Sequence, residues 1–118
     1  MSYLIAAASS DGEQIDRHFG HSEVFSIINV EADGKYTIQE RRAVHSPCRD
    51  GSHDQNAMFE VIKALIDCRY VLAEAIGNGA AAQLNKYGIT SLETDDDIPS
   101  AVEQVMIYDK RIHKNKKR

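Results

Sequence analysis

Between residues 54 and 112 the chain alternates one-faced helical stretches with short apolar runs, and this alternation restricts the possible folds more than any other feature. Met58, Val61, Ile62, Leu65 and Ile66 recur at i, i+3, i+4, i+7 and i+8, the spacing of an amphipathic helix. Asp54 is placed to cap that helix. Tyr70 to Ile76 reads as a strand, broken by Gly77-Asn78-Gly79. Ala80 to Tyr87 follows with high helix propensity, and Gly88 suits a left-handed helix end. Ile89 to Leu92 is a further short strand. Asp95, Asp96, Asp97 and Pro99 open a last helix, with Ile98, Val102, Val105 and Ile112 on its inner face. Strands joined through helices pair in parallel with right-handed crossovers.

The first half of the chain reads differently. Tyr3 to Ala8 is a short apolar run that fits a fully buried strand. Val24 to Val30 is β-rich, and Lys35 to Val44 alternates. Asp33-Gly34 lies between them and predicts a hairpin, because tight primed turns need the positive φ that Asp and Gly tolerate. The order is β-β-β-α-β-α-β-α. It predicts a three-layer α/β/α domain around a mixed five-stranded sheet with one antiparallel strand, in spatial order 3-2-1-4-5. Residues 1–108 are expected to form that domain, followed by a disordered basic tail at 109–118.

Composition removes several function classes. The chain has 118 residues, enough for one domain with a real core. No apolar run approaches the roughly 18–20 residues of a membrane span, and the N-terminus lacks the basic region of a secretory signal. Two cysteines, Cys48 and Cys68, cannot build a disulfide scaffold, so a cytoplasmic setting is expected. The net charge is −4, but the last ten residues hold six basic groups and one acid, against 8 basic and 17 acidic groups elsewhere. An acidic body argues against nucleic-acid binding.

In open α/β sheets, ligands bind beyond the carboxyl ends of the parallel strands. The loop after the first strand carries Arg17 and His18-Phe19-Gly20-His21. The loop after the third carries Cys48, Arg49 and His53. Gly77-Asn78-Gly79 opens a helix, where free N–H groups suit an anion. Imidazole and thiolate together favour a transition metal, which makes His18, His21 and Cys48 candidate ligands. Arg41 and Arg42 are strand neighbours on opposite faces, so at most one serves the site, and Arg42 is the expected one. His45 falls at a strand end or the rim of the site, His113 falls in the tail, and Cys68 reads as a small buried hydrophobe. Nuclease chemistry would draw on Asp11, Asp16 and Glu74, but the first strand lacks a mid-strand acid. A Cys48–His nucleophile has no evident orienting group. A binding protein is expected, not an enzyme.

The run Ala6–Gly12, then Ile15-Asp16-Arg17-His18-Phe19-Gly20-His21-Ser22 and Phe25, resembles the opening of the nitrogenase iron–molybdenum cofactor biosynthesis family. That family groups NifX- and NafY-type carriers with the carboxyl-terminal domain of NifB. The resemblance continues at Ile76-Gly77-Asn78-Gly79-Ala80, Leu84 and Gly88-Ile89, and covers residues 3–108. It implies a ribonuclease-H-like fold. It also implies binding of a metal–sulfur cluster: iron–molybdenum-cofactor-like, a precursor, or a molybdenum/copper sulfide, which the purified protein need not retain. The resemblance maps the cluster ligands onto His18 and His21, with Cys48 as the later cysteine. His53, Arg17, Arg42, Gly77, Asn78 and Gly79 complete the candidate surface. The implied partners are cofactor-assembly or acceptor proteins, with the chain a monomer or weak homodimer and no role for nucleic acid or membrane. Two other readings stay open. One is zinc held by His18, His21, Cys48 and His53; the other is an interaction or regulatory module without metal.

Overall fold

The computed structural model describes residues 2–44 and 55–116. Strands β1 (Tyr3–Ala8), β2 (Val24–Val30) and β3 (Tyr36–Ala43) precede α1 (Gln55–Ala64). β4 (Tyr70–Ala73), α2 (Asn78–Lys86), β5 (Thr90–Glu93) and α3 (Ile98–Lys116) follow. The sheet runs β3-β2-β1-β4-β5, as the element order predicts. β2 is antiparallel to both β1 and β3, while β4 pairs parallel with β1 and with β5.

Each sheet face buries its own apolar set. Ala6, Ala8, Phe25, Ile27, Val71 and Ala73 pack under Val61 and Ile62 of α1, Leu65 just past its end, and Ala80 and Leu84 of α2. Ile5, Ala7, Ile28, Tyr70 and Leu72 face Ile98, Ala101, Val102 and Val105 of α3. The small alanines of β1 let the layers approach where the sheet is most central. Cys68 is buried beneath α1, as expected, and burial pushes its thiol up to about 12.

The hairpin forms where Asp33-Gly34 predicts it, with Gly34 at φ +91° and the Asp33 carboxylate accepting from the Lys35 N–H. The Asp97 carboxylate caps α3 by accepting from the Ser100 N–H at 2.8 Å, and the Ser100 hydroxyl together with that N–H holds its carboxyl below the usual range. Asp54, the expected cap of α1, lies outside the described residues. β4 is shorter than expected and stops at Ala73, because the chain then turns to pair with the loop after β1.

Two features depart from the expectation. First, α3 does not stop near residue 108; it continues to Lys116, through most of the basic run expected to be disordered. Asp109 is buried and holds the helix there. Second, β3 carries an irregularity against β2: Ile27 pairs with Glu40, whereas Ile28 pairs with Ile38. Gln39 is the extra residue, so the faces of β3 exchange at that point.

Candidate functional site

β1 and β4 are adjacent parallel strands whose connections leave in opposite directions, β1 toward β2 and β4 toward β5. Such a switch point opens a crevice beyond the strand ends. The loop after β1 crosses this crevice. On one side it is tied to the loop after β5, with Ile15 N–H donating to the Asp96 carbonyl at 3.1 Å and Ile98 N–H to the Glu13 carbonyl at 2.8 Å. On the other side it pairs with the end of β4. Glu74 N–H donates to the Arg17 carbonyl and Phe19 N–H to the Ala75 carbonyl, both at 2.9 Å.

The acids of this loop are used in building it. Asp11 accepts from the Glu13 and Gln14 N–H groups at 2.8 and 3.0 Å, and Asp16 accepts from the hydroxyl and N–H of Ser10. These bonds hold both carboxyls below the usual range. The Ser9 hydroxyl donates to Asp11 and accepts from the Gly12 N–H at 2.9 Å. Asp11 and Asp16 therefore shape the turn and are not free for metal.

The His18-Phe19-Gly20-His21 element forms a single 3-10 turn over Phe19–His21, with His18 in extended conformation at its start. Phe19 is fully buried and packs on Phe25, ring centroids 5.8 Å apart. The buried aromatic anchors the turn and leaves His18 and His21 exposed at its surface, ring centroids 6.3 Å apart. His18 Nε2 lies 3.6 Å from Glu74 Oε1. Arg17 is exposed beside them in sequence.

The Gly77-Asn78-Gly79 turn follows the same β4 end. Ile76 N–H is held by the Glu93 carboxylate at 2.7 Å, which fixes the start of α2. Gly77 caps the helix with φ −61° and ψ 154°, angles open to any residue. A Cβ on Gly77 or Gly79 would meet nothing within 4 Å. Neither glycine is required by conformation or packing, and both leave backbone exposed at the first helical turn, whose N–H groups lack helical acceptors.

The structure thus brings His18, His21 and the α2 start to one edge. Cys48 and His53, with His45 and Arg49, lie outside the described residues. Arg42 lies on the α1 face but is engaged elsewhere. Its guanidinium donates to the Ala64 carbonyl at 2.8 Å, to the Asp67 carboxylate at 2.8 and 3.2 Å, and to Glu40. Arg41 takes the other face and donates to the Ser9 carbonyl at 2.5 Å, bracing the first loop. Sequence reasoning gave Glu74 no role beside His18; the available signal was an acid at the carboxyl end of a central parallel strand. Among the described residues, no group of three or more His, Cys, Asp or Glu side chains could hold a metal ion. No helix there is long and apolar enough to cross a membrane.

The chain is similar in sequence and in fold to known proteins. The NifX protein of Klebsiella pneumoniae is 30% identical over 98% of this chain and 74% of its own length. The FeMo cofactor biosynthesis protein NifB of Herbaspirillum seropedicae is 33% identical over 79% of this chain, which matches only 18% of that longer protein. Solved structures from Methanocaldococcus jannaschii and Thermotoga share the fold, each at TM-score 0.56, with 11% and 15% identity. The first covers 86% of each chain, the second 90% of this chain and 88% of its own. The family described as dinitrogenase iron-molybdenum cofactor matches residues 1–107, and the chain belongs to that family.

Proposed function

We propose that this domain is a carrier or scaffold that receives an anionic metal–sulfur cluster and passes it to a cofactor-assembly or acceptor protein in the cytoplasm, without catalysing a reaction itself. The cluster is cargo of the iron–molybdenum-cofactor type, a precursor of it, or a related molybdenum, iron or copper sulfide. The observation that carries this reading is the exposed His18–His21 pair at the β1/β4 switch point, beside a glycine-bordered helix start. Sulfide clusters are bulky anions with few open metal positions. One or two imidazoles suffice as terminal ligands, and helix N–H groups suit the anionic surface. Sparse, exposed ligation also suits release, since a closed four-ligand cage would retain its metal. Family membership and the NifX-like and NifB-like relatives support the same reading. Cys48 remains the candidate third ligand, with Arg17 and His53 at the rim.

The test uses untagged protein mixed without air with iron–molybdenum cofactor extracted from nitrogenase, followed by gel filtration and metal analysis. Co-elution of molybdenum and iron with the protein is expected, reduced in His18→Ala, His21→Ala and Cys48→Ala. Unchanged co-elution in all three variants would sink the ligand assignment. Stoichiometric zinc without iron or sulfide in the purified protein would replace the cluster with a simple metal.

A further inference from the structure

Glu74 is out of place at an anion-binding edge. A free carboxylate there would repel the cargo, yet the backbone fixes it beside the site. Arg17 and Phe19 each share a 2.9 Å hydrogen bond with the chain at Glu74–Ala75, and these two bonds bracket His18. Its carboxylate then lies 3.6 Å from His18 Nε2, with both side chains about half exposed, at 58% for His18 and 45% for Glu74. An ionised carboxylate only accepts hydrogen bonds, so it pairs with a ring nitrogen that carries a proton. We infer that Glu74 is a positioning residue: from this 3.6 Å approach, just beyond hydrogen-bond length, a small side-chain shift lets it accept from the Nε2–H of His18 and leaves Nδ1 as the nitrogen that meets metal. This rests on the carrier reading for its cargo, but not for its chemistry, which applies to any metal bound by His18. In water such an exposed pair is weak. A bound cluster covers it, lowers the local dielectric and strengthens it. Pairing the second nitrogen of a ligating histidine with a carboxylate fixes the ring and raises its basicity. The same pairing directs the negative charge of Glu74 at the imidazole instead of at the cargo.

Cu2+ is the probe, because its electron spin echo modulation reports the remote, uncoordinated imidazole nitrogen. Binding is measured in the wild type and in Glu74→Ala, Glu74→Gln and His18→Ala, the last variant identifying the His18 signal. Neither Glu74 variant removes the backbone bonds to Arg17 and Phe19, so circular dichroism should stay unchanged. Glu74→Ala should weaken Cu2+ binding about 10–100-fold and shift the remote-nitrogen coupling. Glu74→Gln, which keeps an accepting oxygen but no charge, should fall between. An unchanged coupling in Glu74→Ala, or a wild type without a His18 signal, overturns the proposal. If the coupling shifts as expected while extracted cofactor fails to co-elute, the carrier reading fails and the positioning role stands.

Discussion

Asp109 shows what one buried charge requires. Its carboxylate accepts from the Tyr70 hydroxyl at 2.5 Å and from Arg69 at 3.0 and 3.2 Å, and the His113 ring lies 3.3 Å away. The Arg69 guanidinium also stacks on Tyr3, 4.6 Å from the ring centroid. Removing the carboxylate strands the buried Tyr70 hydroxyl and the half-buried Arg69 guanidinium, so Asp109→Ala should cost about 3 kcal/mol in urea unfolding, and Tyr70→Phe about 1 kcal/mol. The pair should be strongly non-additive, because both changes break the same bond. Three groups nearby or beneath α1 set the alkaline limit. Burial raises Tyr3 from 10.0 to about 12 and Cys68 from 9.0 to about 12, and burial together with Asp109 raises Tyr70 further. All three are raised in the folded state, so folding favours their neutral forms. Their contribution is complete below the unfolded values and is lost as pH climbs through the folded ones. Unfolding midpoints should therefore hold near pH 8 and decline from about pH 9 toward 12, with Cys68 resisting alkylation until the chain unfolds.

At the scale of elements, local chemistry decided most of what could be read in advance. The Asp33-Gly34 turn is one such case. Gly34 sits at φ +91° with open space around it, so Gly34→Ala should cost about 1 kcal/mol from backbone strain alone, measurable by thermal unfolding. The spacing of Met58 to Leu65, the Gly88 helix end and the acids before Ile98 were legible for the same reason: each reports a rule of sequence neighbours. Ile66, expected on the same apolar face, lies past the end of α1 and is exposed. The adjacency of the HFGH loop and the Gly77 turn was legible too, since parallel strand order dictates which loops share an edge. What was not legible depended on register. Arg41 and Arg42 had to face opposite ways, but which faced which was decided by the extra residue at Gln39 in β3. Nothing in Ile38-Gln39-Glu40 announces that irregularity, so the guanidinium expected at the cluster site is bound to Asp67 and the last turn of α1 instead. Glu74 was weighed only as a nuclease carboxylate, and its place beside His18 was not legible for a related reason: it comes from the Arg17–Phe19 pairing, which joins residues more than fifty positions apart.

For the whole molecule, the end of α3 decides where the folding unit stops. Charge alone suggested a boundary at residue 108, because the basic residues begin after Asp109 and a run of like charge reads as solvated chain. The fold contradicts that division at its first residue. Asp109 joins α3 to the start of β4 through Arg69 and Tyr70, and His113 returns to the Asp109 carbonyl at 2.9 Å. These contacts lie at the end of the central strands opposite the histidines, near Tyr3 at the start of β1, so they stabilise the scaffold without touching the cargo site. Two truncations separate the roles. A chain ending after His113 keeps every contact of Asp109 and should unfold in urea close to the full-length protein. A chain ending after Tyr108 leaves Arg69 and the Tyr70 hydroxyl unpaired and should lose about 3 kcal/mol or more. Equal stability of the two chains would return the boundary to residue 108. If the shorter chain still folds at low temperature, its Cu2+ binding should match the longer one, since His18, His21 and Glu74 are held by the loops at the opposite end of the strands.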